Sequence, residues 1–173
     1  MLAWLFSLLA LGLLILGLAL IFTNGLVLLR GAPYLPSLKL HVKAALDLLD
    51  LKPGQTVYDL GCGDGRFLKA AAKQGIKVVG YELNPFIFAY AWLSTRRYKK
   101  LVEVRFGDFW RVDISQADAI YVFLFDRYMA KLDAKLKTEA KAGLKLASHT
   151  FKIPGKKIAA QNYGVFLYTY VLK

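Results

Sequence analysis

Three kinds of residue are scarce in this sequence of 173 residues, and each scarcity narrows the class of protein. A single cysteine, Cys62, excludes an internal disulfide framework and fits a reducing compartment. The two histidines, His41 and His149, stand apart with no cysteine or acidic cluster at ligand spacing, so we expect no metal site. Only 12 acidic side chains oppose 24 Lys and Arg, and the net charge of +12 indicates an anionic partner: acidic lipid, nucleic acid or an acidic protein surface.

Charge is absent altogether from residues 1–29, which are nearly all apolar. About 20 such residues span a bilayer as a helix, so we predict an N-terminal transmembrane anchor. A cleaved signal peptide is the alternative, but it would begin with positive charge and have a shorter apolar core. Here the first basic residue is Arg30, followed by Lys39 and Lys43, and this positive charge predicts that the rest of the chain is cytoplasmic.

Residues 30–55 are predicted to link the anchor to a folded domain. Pro33 and Pro36 interrupt any helix and indicate a short, stiff connector. Ser37 is then a plausible N-cap for a helix over 38–49, whose apolar residues share one face.

From residue 56 to 173 the pattern alternates strand and helix, which predicts a parallel sheet covered on both faces. The predicted strands cover 56–60, 76–81, 101–106, 118–125 and 144–148, and the predicted helices cover 65–74, 84–98 and 126–142. Segments 158–161 and 165–172 are predicted to close the sheet as an antiparallel hairpin. The predicted fold class is therefore α/β and Rossmann-like, preceded by one transmembrane helix.

A glycine-rich turn, DLGCGDG at 59–65, lies between the first strand and its helix. A strand, a glycine turn and a helix together form a nucleotide-type pocket, because glycine has no Cβ to hold a ligand away from the backbone. The spacing is G-x-G-x-G, with Asp59 and Asp64 on either side, and another acid, Glu82, ends the second strand 23 residues after Asp59. Carboxylates in these places would repel a pyrophosphate but attract a ligand that carries an ammonium and a sulfonium.

This set of residues resembles the S-adenosylmethionine site of class I methyltransferases. The resemblance implies that S-adenosylmethionine is the cofactor, that Asp108 accepts from the adenine amino group and that Phe109 packs on the adenine ring. Cys62 fills the glycine turn as a small residue. The implied cofactor-binding residues are Asp59, Gly61, Cys62, Gly63, Asp64, Gly65, Glu82, Leu83, Asp108 and Phe109.

The methyl acceptor should enter near the carboxyl end of the fourth strand, where Phe123, Phe125 and Asp126 are the candidates for an acceptor channel. Apolar walls would lower the pKa of an entering lysine and favour its nucleophilic, neutral form. Alternatively, the two aromatic rings belong to the strand core and Asp126 caps a helix. The Asn-Pro-Pro-aromatic motif of amino-methylating DNA enzymes is absent here, so we expect no DNA substrate.

A narrower resemblance rests on four segments in a fixed order after the anchor: PYLPS (33–37), the glycine turn, GYELNP (80–85) and SHTFKIPG (148–155). This order of segments resembles the order in the small membrane-anchored protein-lysine methyltransferases. That family includes the enzymes that act on the ATP synthase c-subunit and on the adenine nucleotide translocase. The resemblance implies transfer of methyl groups to lysines of proteins, some of them membrane-embedded. It supplies no single catalytic base, and Phe125-Asp126 departs from the apolar residue and proline of many relatives.

The basic helix over 126–142 has two interpretations. Its Arg127, Lys131, Lys135, Lys137 and Lys141 form either an ordinary solvated face or a surface for anionic headgroups. Two other functions also remain open: methylation of a lipid or lipophilic small molecule, and a non-catalytic module that binds the cofactor or RNA. The intact cofactor motif disfavours an inactive module, and the absence of Arg/Gly tracts disfavours RNA.

Overall fold

The computed structural model describes residues 2–30 and 35–171, with side chains described at 4–19, 21 and 25 in the first stretch. That stretch is a single helix, α1 (Leu2–Arg30), and its described side chains are nearly all exposed. Where side chains are described, no helix has an apolar run long enough to cross a membrane. The predicted connector around Pro33 lies largely outside the described residues.

Helices and strands alternate through the second stretch, as predicted. In chain order they are α2 (Lys39–Leu49), β1 (Thr56–Leu60), α3 (Arg66–Lys73), β2 (Lys77–Glu82), α4 (Pro85–Thr95), β3 (Val102–Phe106), β4 (Ala119–Val122), α5 (Met129–Glu139), β5 (Leu144–His149), β6 (Ala160–Asn162) and β7 (Val165–Tyr170). Short 3₁₀ segments follow α4, follow β3 and precede α5.

The seven strands form one mixed sheet in the order β3-β2-β1-β4-β5-β7-β6. The first five strands are parallel, and β7 runs antiparallel to both β5 and β6. The α/β sheet and its C-terminal antiparallel hairpin are therefore confirmed. Because β1 lies between β2 and β4, the chain order reverses at β1, and a crevice opens at the carboxyl ends of the strands on either side.

Two apolar cores lie on opposite faces of the sheet. One joins α2 and α3 to the sheet through side chains such as Leu46, Phe67 and Leu68. The other joins α5 to the opposite face through Leu132 and Leu136. Helices held on both faces leave the carboxyl edge of the parallel strands as the open edge where a site can form.

Three local predictions near this edge were wrong. Strand β4 ends at Val122 rather than 125, because β1 on one side ends at the paired residue Leu60 and β5 on the other side runs only one residue beyond the paired Ser148. Asp126 begins a 3₁₀ turn and caps no helix with its side chain, since α5 starts only at Met129. Ser37 is not the N-cap of α2 either: Leu38 takes that position, and the hydroxyl of Ser37 bonds elsewhere.

Candidate active site

The glycine turn after β1 is a tight loop that only glycines accommodate easily. Gly61, Gly63 and Gly65 have φ angles of 92°, 53° and 74°, in the left-handed region that side chains with a Cβ rarely adopt. The amides of Gly61 and Cys62 both donate to the carbonyl of Tyr81, at 3.0 and 2.9 Å, which fixes the turn against β2.

Another glycine, Gly80 in β2, lets this turn lie close to the sheet. A Cβ at position 80 would lie 2.7 Å from Cδ1 of Leu68 and 2.9 Å from both Cβ and Sγ of Cys62. Cys62 is buried, and burial raises the pKa of its thiol well above the usual range. Its predicted role as a small filler of the turn agrees with this packing.

Asp59, at the end of β1, is the residue whose surroundings point most directly to a ligand. Its side chain is only 3% exposed, and it forms no hydrogen bond or ion pair with any residue that the structure describes. Burial and the nearby charges of Glu82 and Asp64 raise its pKa well above the usual value. A buried carboxylate without a partner is costly unless a ligand supplies donors or positive charge.

Glu82 ends β2 beside the turn and is held in place by the backbone. Its Oε2 accepts from the amide of Gly63 at 3.0 Å and its Oε1 from the amide of Asn84 at 2.8 Å. Burial raises its pKa, although these hydrogen bonds act in the opposite direction. Each oxygen keeps a further lone pair, so the carboxylate can still accept from two ribose hydroxyls. Leu83, next in the chain, is half-buried.

Asp64 is placed differently from the other two acids, because an arginine already neutralises it. Arg66 donates to its carboxylate from Nε at 3.0 Å and from Nη2 at 2.8 Å. Burial alone would raise the pKa of Asp64, but the hydrogen bonds and charge of Arg66 outweigh burial and lower it. The same guanidinium donates from Nη1 to the carbonyl of Ser37 at 2.6 Å.

The predicted adenine contacts follow β3. The carboxylate of Asp108 accepts from the amide of Trp110 at 3.0 Å and starts a 3₁₀ turn. Phe109 lies mostly in the core, with 8% of its surface exposed and its ring 4.8 Å from that of Trp110. Both residues lie just beyond the carboxyl end of β3, on the same edge of the sheet as Glu82.

These surroundings fit S-adenosylmethionine better than a dinucleotide. An unpaired buried carboxylate at Asp59 suits the ammonium of the methionine moiety, and Glu82 suits the ribose hydroxyls. A pyrophosphate at the same turn would meet two buried acids, Asp59 and Glu82, and in their carboxylate form these repel its negative charge.

Across the crevice, at the ends of β4 and β5, the structure brings together polar side chains that the sequence analysis did not connect. The hydroxyl of Ser37 lies 3.0 Å from the hydroxyl of Tyr121 and 3.3 Å from Nδ1 of His149. The rings of His149 and His41 are 4.2 Å apart, although the sequence suggested that the two histidines stand apart. Ser37, Tyr121 and His149 are buried, and we call these four residues the acceptor cluster.

The cluster contains a neutral imidazole, that of His149, and its hydrogen bonding is incomplete. Burial and the neighbouring His41 lower the pKa of His149 to about 4, so its imidazole carries no charge at neutral pH. Burial also raises the pKa of Tyr121. Nδ1 of His41 is buried and has no hydrogen-bond partner among the described residues.

Of the predicted channel residues, only Phe123 contacts this cluster closely. Its ring lies 4.2 Å from that of His149. Phe125 is half-buried and points its ring edge at Phe151, 6.4 Å away, whereas Asp126 is exposed.

Two segments of the sequence already pointed to the residues of the acceptor cluster. PYLPS and SHTFKIPG are the two segments that set the narrower resemblance apart, and Ser37 from the first bonds His149 from the second. Nothing in either segment shows that they meet, because 112 residues separate the two side chains. In the described part of the chain, no group of three or more His, Cys, Asp or Glu side chains could hold a metal ion.

Comparison with known proteins identifies relatives of this arrangement. Residues 59–160 match the family model of the ANTKMT methyltransferase domain. A Xenopus laevis protein, named as a lysine N-methyltransferase of the ATP synthase c-subunit, is 36% identical over 124 residues, which are 70% of this chain and 54% of that protein. A protein-lysine N-methyltransferase of Saccharolobus islandicus is 33% identical over 150 residues, covering 81% of this chain and 93% of that protein.

Solved structures agree on the fold. An RNA methyltransferase from Salinibacter ruber, in complex with S-adenosyl-L-homocysteine, superposes with a TM-score of 0.75 and 29% identity. The superposition covers 80% of this chain and 95% of that one. The chain thus spans nearly all of two of these relatives, but about half of the Xenopus protein.

Proposed function

Because this chain belongs to the family of ANTKMT methyltransferase domains, which use S-adenosylmethionine, we propose that it methylates lysine side chains of proteins. The observation that carries the proposal is Asp59, a buried carboxylate without a hydrogen-bond partner in the described structure, next to a second buried acid. Relatives named as lysine methyltransferases of proteins support the acceptor class.

In this proposal the acceptor lysine enters beside the acceptor cluster. S-adenosylmethionine supplies a methyl group bonded to a positively charged sulfur. The chain itself must bring in an amine that has lost its proton, and the ring of Phe123 and the neutral imidazole of His149 favour the uncharged amine over the ammonium. Ser37, Tyr121 and His149 can accept and donate hydrogen bonds and so orient the amine nitrogen.

We further propose that α1 anchors the enzyme in a membrane, with the catalytic domain on the cytoplasmic side. The support comes from the absence of charge in residues 1–29 and from the basic residues that begin at Arg30. An anchor confines the domain to the membrane plane and raises its effective concentration toward acceptors there. A membrane protein with an accessible lysine is therefore the proposed acceptor. Flotation with vesicles tests the anchor, and protease protection tests the orientation.

The acceptor class can be tested with tritiated S-adenosylmethionine and membranes of the source organism. Methyl-lysine recovered from a labelled protein band after acid hydrolysis supports the proposal. Label found only in the lipid extract indicates a lipid methyltransferase, and label found only in RNA indicates the activity named for the Salinibacter relative. Either result overturns protein methylation. Asp59→Ala serves as the matched inactive control.

A further inference from the structure

The outer surface of α4 is apolar, which is the reverse of an ordinary surface helix. Phe86, Tyr90 and Leu93 follow one another at helical spacing and are 45%, 59% and 61% exposed. Only Ala91 and Thr95 of this helix are buried. Large rings thus face outward while small side chains face the sheet.

Two further aromatic residues enlarge this patch. Trp92 is 49% exposed on the neighbouring side of the helix. Phe106 ends β3, the edge strand of the sheet, and is 57% exposed, with Phe88 of α4 packing at 5.5 Å against its ring. We call Phe86, Tyr90, Trp92, Leu93 and Phe106 the α4 surface.

A run of four positively charged residues borders the α4 surface. Arg96, Arg97, Lys99 and Lys100 follow the helix and are exposed, and residues 84–101 contain no Asp or Glu. The guanidinium of Arg96 lies 4.9 Å from the ring of Trp92. None of these four cations forms an ion pair with a residue that the structure describes.

Three of the five basic residues that the sequence offered as a membrane surface in and around α5 pair with acidic side chains. Lys135 contacts Glu139 at 2.7 Å, Lys137 contacts Asp133 at 2.6 Å, and Lys141 contacts Asp118 at 2.6 Å. A carboxylate therefore pairs with each of these three lysines, whereas Lys131 lies over the ring of Trp110. The four cations at the end of α4 have no such carboxylate partner among the described residues.

We propose that the α4 surface docks on the headgroup region of an anionic lipid bilayer. Trp and Tyr rings suit the membrane–water interface because one end of each ring is apolar and the other forms hydrogen bonds. The four cations beside them attract anionic headgroups. A purely apolar partner would leave this charge unmatched, and an acidic partner alone would leave the exposed rings in water.

The position of the α4 surface in the fold is compatible with this docking. Helix α4 packs on the sheet beside α3, and α2, which follows the proposed anchor, packs on the same face of the sheet. Eight residues separate Arg30 from Lys39, a span of at most about 29 Å when fully extended. Since Glu82 lies just before α4, docking holds the cofactor site close to the bilayer. This inference rests on one part of the proposed function, the membrane anchor, which keeps the α4 surface near a bilayer. It does not depend on which molecule accepts the methyl group.

The test uses the full chain with a fluorescent probe on each of two helices. Leu93→Cys places an environment-sensitive fluorophore on the α4 surface, and Ala134→Cys, on the exposed side of α5, is the matched control. The native thiol of Cys62 is buried, so labelled wild-type protein gives the background. Calorimetry of S-adenosylmethionine binding shows that each labelled variant is folded.

The vesicles are phosphatidylcholine alone or mixed with phosphatidylglycerol. We expect a blue shift and protection from an aqueous quencher at position 93 but not at 134, and only with the anionic vesicles. Arg96→Glu with Arg97→Glu should reduce the docked fraction at least twofold, and so should high salt.

Each remaining outcome overturns a distinct statement. Flotation with vesicles but no change at position 93 overturns docking by α4 and leaves the anchor intact. No flotation with either kind of vesicle overturns both. A shift without vesicles that grows with protein concentration indicates self-association through the α4 surface, and a shift that requires an added acidic protein indicates a protein partner. Both of these results overturn the lipid proposal.

Discussion

The two sides of the crevice are built in different ways. The cofactor side, at the ends of β1 and β2, is made of two short stretches of chain that the backbone holds together, with the amide of Gly63 bonded to Glu82. The acceptor side joins Ser37 to Tyr121 and His149, which lie 84 and 112 residues further along the chain and meet it only through side chains. The first is lined by two buried acids, Asp59 and Glu82, and the second contains the neutral imidazole of His149. In the proposed function, the two sides therefore divide the work: one binds the cationic cofactor and the other receives the amine.

The largest expected effect comes from removing the negative charge on the cofactor side. Asp59→Ala or Glu82→Ala should weaken S-adenosylmethionine binding at least tenfold, and the double variant about a hundredfold, because each change leaves ligand donors unpaired. Isothermal titration calorimetry gives the affinities. Glu103→Ala, which removes an exposed acid from β3, is the control and should bind normally. Unchanged affinity in both single variants would mean that the cofactor lies elsewhere.

A methyl group at Gly80 should disturb the cofactor side through packing alone. Gly80→Ala places a Cβ 2.7 Å from Leu68 and 2.9 Å from Cys62, and we expect it to destabilise the fold by about 1–3 kcal/mol. Denaturant unfolding measures the loss. Gly12→Ala on exposed α1, where a Cβ has no neighbour within 4 Å, should cause no such loss of stability. Equal stability of the two variants would contradict the close approach of β2 to the turn.

Substitutions on the acceptor side should lower the methylation rate without weakening cofactor binding. Tyr121→Phe and His149→Asn should lower the rate of lysine methylation about tenfold while cofactor affinity stays within about twofold, because they remove hydrogen bonds only on the acceptor side. Single-turnover kinetics and calorimetry on the same preparations measure the two quantities. Parallel loss of cofactor binding would show that the cluster supports the cofactor site instead.

The smallest expected effect is on the pH dependence of the free energy of unfolding. The pKa of His149 is about 4 in the folded chain and about 6.5 when exposed, so below about pH 6.5 the unfolded chain takes up a proton that the folded chain does not. The free energy of unfolding should therefore fall by about 1 kcal/mol between pH 7 and 5.5 through this residue. Denaturant unfolding at several pH values tests this, and His149→Asn should have the flatter profile. Identical slopes would show that His149 titrates normally in the fold.

The cofactor side is local in sequence and the acceptor side is assembled from distant segments, and this difference explains what the sequence could predict. β1 is predicted to the residue, and the antiparallel hairpin to within a few residues, because both follow from local alternation and turn residues. The cofactor motif is equally local: Asp59 lies near the end of the predicted first strand, Glu82 directly follows the predicted second, and parallel pairing brings the strand ends together.

The acceptor cluster could not be predicted from the sequence because it depends on contacts between distant segments. Ser37 looks like a helix cap in isolation, and only the packing of α2 against β5 turns its hydroxyl toward His149. The unpaired charge after α4 was missed for a similar reason. Lys135, Lys137 and Lys141 look just as basic in sequence, and only the fold shows that a carboxylate pairs with each of them.

Arg66 joins the two sides of the crevice. One guanidinium bonds Asp64 in the glycine turn and the carbonyl of Ser37, so a single rigid group contacts a segment from each side. A ligand that displaces Asp64 must also move Ser37 or break this bridge. By thermodynamic reciprocity, whatever the cofactor does to affinity for the lysine substrate, the lysine substrate does to affinity for the cofactor. Arg66→Ala should uncouple the two ligands, so that each binds with the same affinity whether or not the other is present.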